Sequence, residues 1–315
     1  MIRGPGGLIL LVAICGPLAA QTGAPLGPWT PGTLDIHHIS TGRGNATFFI
    51  LPDGTTLLVD AGPAADGAAE TDPHPDGSRT PGAWIARYIK RHLPSGITAL
   101  DYAVITHFHG DHMGQVTSAS PWDSSHSYQL TGITEIAEVL PINMLLDRGW
   151  PDYSYPAPLN DETVANYRRF IEVQRATGMQ VERFQPGSSS QIRLRHAAGT
   201  YPTFLIRNIV ANGQVWTGKG NETRFLFPPV KFLAPADLPT ENMCSLGLRL
   251  QYGAFRYFTG GDLPGTADPG YPAWHALEPA IAPIVGRVDV HVVNQHGSMG
   301  EETEAFLREL RQQCS

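Results

Sequence analysis

The sequence predicts an α/β fold whose strand runs and helices alternate in two halves, giving sheets covered by helices. Three observations carry that expectation. Short β-rich segments gather at 34–59 and again at 246–259, and amphipathic helical segments follow each run. Glycine and proline, 34 and 27 among 315 residues, supply turns and long loops rather than a helical bundle. With 42% apolar residues the chain can bury a large core in one domain or two closely packed layers, which excludes wholesale disorder. The net charge of -7 gives no general attraction to nucleic acid or an anionic membrane.

Residues 1–20 read as a secretory leader. Arg3 supplies the positive start, 8–15 an apolar stretch, and 16–20 a small-residue cleavage zone ending near Ala20. The apolar run is shorter than the roughly 20 residues of a spanning helix, so no stable membrane anchor is expected after processing, and the product is secreted or periplasmic. Bulky Ile14 argues against lipid attachment at Cys15. Residues 21–32 form a Gly-, Pro- and Thr-rich tether, and 33–315 the folded domain. Cys244 and Cys314 remain, and an oxidising compartment permits them to pair if the fold brings them together.

Strands are expected at 34–40, 46–51 and 55–59, with Pro52-Asp53-Gly54 as a turn and Asp60-Ala61-Gly62 closing the third. Pro81 starts a helix whose Trp84, Ile85, Tyr88, Ile89 and Leu93 share one face, and Pro94 ends it. A buried strand at 100–106 runs directly into a histidine-rich loop. The stretch 116–239 is less regular. It holds a helix at 161–176 capped by Asp161, followed by short strands, and its length predicts an inserted subregion that shapes substrate access. A hairpin at 246–250 and 255–259 turns at Gly253 and leads to Gly260-Gly261-Asp262. A strand at 288–293 ends at Asn294-Gln295-His296-Gly297-Ser298, and a final helix at 300–311 buries Phe306 and Leu310.

His107, His109, Asp111 and His112 fall within six residues on a glycine-containing loop, a density that core packing does not explain. His107 and His109 can direct two imidazoles at one ion, while Asp111 and His112 offer an oxygen and a nitrogen to a second. Zinc accepts such sets, and two ions roughly 3.5–4 Å apart can share a hydroxide. A phosphate-loop reading of 213–219 fails because Gly220 replaces the hydroxyl residue that would hold magnesium. His37-His38 and the aromatics Trp150, Tyr153 and Tyr155 read as packing.

The run from Thr106 to His112 resembles the His-x-His-x-Asp-His motif of the metallo-β-lactamase superfamily. Asp60, after Leu57-Leu58-Val59, resembles the early aspartate that supports the metal loop there. Asp262 resembles the carboxylate that bridges the two metals, and His296 the final histidine ligand. The resemblance implies a four-layer αββα sandwich of two mixed sheets flanked by helices. It also implies His107, His109, Asp111, His112, Asp262 and His296 as ligands of two zinc ions, with Mn2+ or Fe2+ as alternatives. A narrower likeness is to the hydrolase domain of the DNA-uptake protein ComEC, through Gly42-Arg43-Gly44-Asn45-Ala46, Pro52-Asp53-Gly54, Asn242 with Ser245-Leu246, and His296-Gly297-Ser298.

Two departures stand out. No clear third histidine lies between the motif and Asp262; His126 and His196 are the positional candidates, each read first as an ordinary loop or strand-end histidine. The ComEC type also lacks a clear one there, so Asp262 and water would complete the first metal site. Gln295 stands where the ComEC pattern tends to show another histidine, and glutamine cannot donate a proton of matched pKa.

The expected activity is metal-assisted hydrolysis, with Asp111 orienting the attacking hydroxide. Such a centre serves esters, lactams, thioesters and phosphodiesters alike. The ComEC likeness favours a phosphodiester and the acidic composition opposes a polyanion, so the partner is a small-molecule or phosphodiester substrate. A lactonase or β-lactamase-like hydrolase is the enzymatic alternative. A secreted metal- or ligand-binding protein without turnover is the alternative of another class.

Overall fold

The computed structural model describes residues 26–40, 44–62, 72–298, 300 and 302–311. The expected leader, the start of the tether, Gly42, Arg43 and Cys314 lie outside the described residues. Among those described, no helix is long and apolar enough to cross a membrane.

The first half forms a six-stranded mixed sheet. β1 (Asp35–His38), β2 (Thr47–Ile50) and β3 (Thr56–Val59) are antiparallel neighbours; β4 (Leu100–Val104), β5 (Ile142–Asp147) and β6 (Gln180–Arg183) then continue parallel to β3. Pro52-Asp53-Gly54 makes the β2–β3 turn: the Gly54 amide donates to the Leu51 carbonyl at 2.8 Å, and Gly54 takes a φ of 90°, where a side chain would be strained. Helices α1 (Pro81–His92), α3 (Gly132–Val139) and α4 (Glu162–Ala176) cover one face, and the single turn α2 (Gly110–Met113) follows β4.

The second half forms another mixed six-stranded sheet. Its order is β12 (Val290–His291), β11 (Phe255–Thr259), β10 (Gly247–Tyr252), β7 (Phe204–Ala211), β8 (Gln214–Trp216) and β9 (Thr223–Phe225), with α5 (Glu278–Val285) and α6 (Glu304–Arg311) outside it. Residues 214–216 of the phosphate-loop imitation at 213–219 form strand β8.

Strand periodicity explains the layering. Phe48, Ile50, Leu58, Ala103 and Leu145 pack under α1, α3 and α4, while Phe49, Leu57, Val59, Tyr102, Val104, Met144 and Leu146 point the other way. The second set meets Ile206, Leu248, Leu250 and Tyr257 from the second sheet. Beyond that sheet, Ile209, Val215 and Phe258 pack with Ile281, Val285, Phe306 and Leu310 of α5 and α6. The expected four-layer αββα sandwich is therefore present, held by three apolar layers rather than one.

The irregular appearance of 116–239 conceals framework. This stretch supplies α3, β5, α4 and β6 to the first half and β7, β8 and β9 to the second, so both sheets run through it, contrary to a largely inserted subregion. β6 escapes a periodicity reading because it is an edge strand whose Gln180, Glu182 and Arg183 face solvent. The strand expected at 288–293 shortens to Val290–His291, since the Val288 amide donates to Leu310 and the Asp289 carboxylate accepts the Arg256 amide. The last helix starts at Glu304 because Gly300 and Glu302 have left-handed φ values of 94° and 54°. Tyr153 belongs to the core, its hydroxyl donating to buried Asp147 at 2.7 Å. Cys244 is likewise buried.

Candidate metal centre

The parallel strands β3 and β4 end at one edge, which places Asp60 beside Thr106 and His107. Asp60 is buried and sits at φ 60°, a conformation that aspartate tolerates better than most residues. Its Oδ1 accepts the Thr106 amide at 2.7 Å; its Oδ2 accepts the Thr106 hydroxyl at 2.8 Å and lies 2.8 Å from His112 Nδ1. His112 therefore donates from Nδ1 and turns its Nε2 into the centre.

The second sheet contributes Asp262 just beyond β11. Ser245 Oγ accepts the Asp262 amide at 3.2 Å, and Gly261 at φ 59° passes so close to Thr106 that a Cβ there would lie 2.8 Å from its hydroxyl. The loop after β12 brings His296, and the Gln295 amide donates to the Gly261 carbonyl at 3.2 Å. Gln295 and His296 both have left-handed backbones, φ 45° and 55°, so their placement is held by this surrounding structure against its local preference.

Six side chains converge in two groups that share one carboxylate. His107, His109 and Asp262 form the first; Asp111, His112, Asp262 and His296 form the second, with the donor atoms of each group within 4.8 Å of one another. Asp262 Oδ2 lies 3.7 Å from His107 Nε2, whereas its Oδ1 lies 3.0 Å from His112 Nε2 and 3.7 Å from His296 Nε2. His107 Nε2 and His109 Nδ1 are 3.0 Å apart, and His296 Nε2 is 3.1 Å from Asp111 Oδ2. His112 Nε2 and Asp262 Oδ1 are buried with no hydrogen-bond partner, an arrangement that suits a shared cation. The donor set of imidazole nitrogen and carboxylate oxygen fits zinc.

Electrostatics agree with that fit. Burial, reinforced by His112, His109 and Arg148, holds His107 well below the ordinary imidazole range, so its imidazole is neutral and could serve as a ligand. Burial opposes charge on His112 too, but Asp60 and Asp262 outweigh it and push its pKa up to about 10 without metal. Burial tends to raise Asp111, yet the His296 hydrogen bond and the His112 charge hold it below the usual carboxylate range.

Neither candidate third histidine joins these groups. His126 sits at φ 56° in a turn whose amide donates to the Asp123 carbonyl, and His196 Nε2 lies 3.2 Å from Asp101 Oδ2, near the opposite end of β4. The first group therefore has three protein donors among the described residues and the second has four. Two charged residues beside the first group escaped the sequence reading: Arg148, directly after β5, and Glu241, whose Oε1 accepts the Phe108 amide at 2.8 Å.

The ligand loop also depends on a close backbone approach. The Asn45 amide donates to the Asp111 carbonyl at 2.9 Å, the Ala61 amide donates to the His112 carbonyl at 2.7 Å, and a Cβ on Gly62 would lie 1.9 Å from the Asp111 carbonyl oxygen. Gly62→Ala must push α2 away. It is expected to cost about 1–3 kcal/mol and to weaken zinc binding by the second group. Thermal melting and zinc titration check this; a variant matching the parent in both would contradict the assigned packing.

Residues 40–118 match the model of the metallo-beta-lactamase superfamily. The matched segment contains Asp60 and the whole 107–112 run, which bears out the superfamily resemblance. Among solved structures, the chain is similar to a Cronobacter sakazakii metallo-beta-lactamase HARLDQ-motif mutant, at 12% identity and TM-score 0.39 over 82% of this chain and 74% of that one. It is also similar to zinc-bound PqqB from Methylobacterium extorquens, at 13% identity and TM-score 0.35 over 78% of this chain and 58% of that one. A third is the CmlA beta-hydroxylase E377D mutant, at 14% identity and TM-score 0.41 over 84% of this chain. This chain spans only 35% of the CmlA chain's length. No curated protein matches it.

Proposed function

We propose that this chain, a metallo-beta-lactamase superfamily protein by the match over residues 40–118, is a hydrolase that works with two divalent cations held by His107, His109, Asp111, His112, Asp262 and His296. One observation carries the reading: buried Asp262 turns one oxygen to each donor group, and its Oδ1 and His112 Nε2 face each other with no hydrogen bond. Zinc is the first choice of ion, with Mn2+ or Fe2+ as alternatives. When bound, the ions supply a water of lowered pKa and positive charge for the developing oxyanion.

The chain's own groups do the rest. Asp60 fixes the tautomer of His112 through Nδ1, and Asp262 sets the separation of the two groups. Asp111 is only partly buried and stays ionised, so it can accept a hydrogen bond from the attacking water and orient it. His109 and His296 are exposed, which leaves the centre open on that side for a substrate.

For the substrate we favour a phosphodiester, on the ComEC-type pattern around Asn242, Ser245 and His296-Gly297-Ser298. A lactone or lactam is the alternative that the same centre could serve. A bis-aryl phosphodiester assayed beside lactone and lactam probes separates them. Stoichiometric zinc with no turnover of any probe would instead favour a metal- or ligand-binding protein. The leader pattern at 1–20 favours work outside the cytoplasm, and a mature N-terminus just after Ala20 is the expected result of sequencing exported protein.

The His112 proton predicts a pH dependence. Because its folded pKa of about 10 lies above the ordinary 6.5, this group stabilises the metal-free fold fully below pH 6.5, and that contribution disappears as pH rises through 10. Metal must displace the same proton, so apparent zinc affinity should climb by roughly tenfold per pH unit across pH 7–9. The metal-free chain should melt lower at pH 9 than at pH 7, while the gain from zinc widens. A pH-independent zinc affinity would contradict the assignment of His112 as ligand.

A further inference from the structure

Arg148 is a fully buried cation. Its Nε donates to Glu241 Oε1 at 2.7 Å and a terminal nitrogen donates to Glu241 Oε2; the other donates to the Tyr155 carbonyl at 2.9 Å and to Asn212 Oδ1 at 3.1 Å. The guanidinium also lies 4.7 Å from the centroid of the Phe108 ring. Glu241 Oε1 in turn accepts the amide of Phe108, the residue between His107 and His109. The single carboxylate thus ties a buried guanidinium to the one backbone unit that separates two ligands of the first group.

A buried ion pair is weak evidence of stability, since hydrophobic replacement of both partners is often neutral. What this pair adds is direction. The imidazoles of His107 and His109 approach to 3.0 Å, and rotation of the peptide between them would spread or close that pair. Among the described residues the first group has three protein donors, so it has less redundancy than the second against such a rotation.

We propose that Glu241, held by Arg148, is the positioning residue of the first metal group: it fixes the Phe108 peptide and with it the angle between His107 and His109. The inference rests on the two-group metal centre proposed above and goes beyond it by assigning metal-site geometry to a residue that is no ligand.

Zinc titration of the mature chain against a competing chelator tests this, with His107→Ala and Asp111→Ala marking the first and second groups. The parent should take two ions. Glu241→Ala should weaken the first-group ion by about 10–100-fold and leave the second within about threefold, as expected for loss of a group that orients a ligand. Glu241→Gln should restore part of the loss, because its carbonyl can still accept from Phe108 and Arg148 Nε while its NH2 faces the other guanidinium nitrogen. Arg148→Lys keeps the charge but loses the two-pronged contact, and should weaken the same ion about fivefold; it serves if the alanine variant does not fold. Unchanged first-group affinity in the alanine and lysine variants overturns the inference while leaving the two-metal centre standing. So does a loss shared equally by both ions, or a glutamine variant as defective as alanine, either of which indicates a general structural role. A parent chain that takes no zinc overturns both.

Discussion

Asp262→Ala is expected to abolish zinc binding by both groups and to lower hydrolysis by about 1,000-fold or more, equivalent to about 4 kcal/mol of barrier. The reason is its shared position. Removing any histidine takes one donor from one group, whereas Asp262 has an oxygen on each side, 3.0 Å from His112 and 3.7 Å from His107. The fold should survive the change. The backbone contact to Ser245 Oγ comes from the Asp262 amide and is kept by alanine, and His112 keeps its buried partner Asp60 when the Asp262 carboxylate is lost. Asp262→Asn offers one oxygen and should retain weak binding by one group. Metal content, probe turnover and thermal melting of the purified variants measure these effects. Undiminished turnover in the alanine variant would remove Asp262 from the centre.

The second large effect concerns a residue that touches no metal. Asp60→Ala strips the acceptor from the Thr106 amide, the Thr106 hydroxyl and His112 Nδ1, all buried. Breaking such a buried charged network costs about 3–5 kcal/mol, and second-group zinc affinity should fall by about 10–100-fold as His112 loses its orientation. Asp60→Asn separates the two consequences. Asparagine accepts the φ of 60° and can keep the bond to the Thr106 amide, so much of the stability should remain. Its NH2 would then face His112 Nδ1, favouring the tautomer that carries the proton on Nε2, the atom turned toward Asp262. The expected result is a folded protein with poor second-group binding. Zinc affinity equal to the parent in Asp60→Asn would show that His112 is not held in this tautomer by Asp60.

Local sequence predicted the elements whose cause is local. β2, β3 and β4 combine apolar runs with a Pro-Asp-Gly turn, α1 has a proline start and a four-residue apolar spacing, and α4 has its Asp161 cap. The candidate ligand run 107–112 stood out because four ligand-type residues in six positions have few other uses. Asp60 was visible only through the family resemblance, although its cause is physical: it sits at the end of a strand parallel to the one that leads into the ligands.

What remained hidden depends on distant partners. Arg148 and Glu241 are 93 residues apart, and neither shows a motif; only the pairing of β5 beside β4 sets Arg148 at the same sheet edge as His107. β5 itself was passed over because the surrounding 116–239 stretch changes character so often, with polar edge strand β6 and proline-rich loops masking its framework role. Glu278 is a similar case. This buried carboxylate accepts from Asn294 Nδ2 and from the Glu302 and Thr303 amides, fastening both sides of the loop that carries His296, yet from sequence it looks like an ordinary helix-start glutamate. His126 and His196 are suitably placed in sequence but remote from the centre in space, in keeping with their reading as ordinary loop or strand-end histidines.

Anomalous diffraction at the zinc edge from crystals grown with zinc tests the central claim most directly. The account predicts two peaks roughly 3.5–4 Å apart on either side of the Asp262 carboxylate. One should be bounded by His107 and His109, and the other by Asp111, His112 and His296. No zinc peak at Asp262, or zinc bound only elsewhere on the chain, would contradict it.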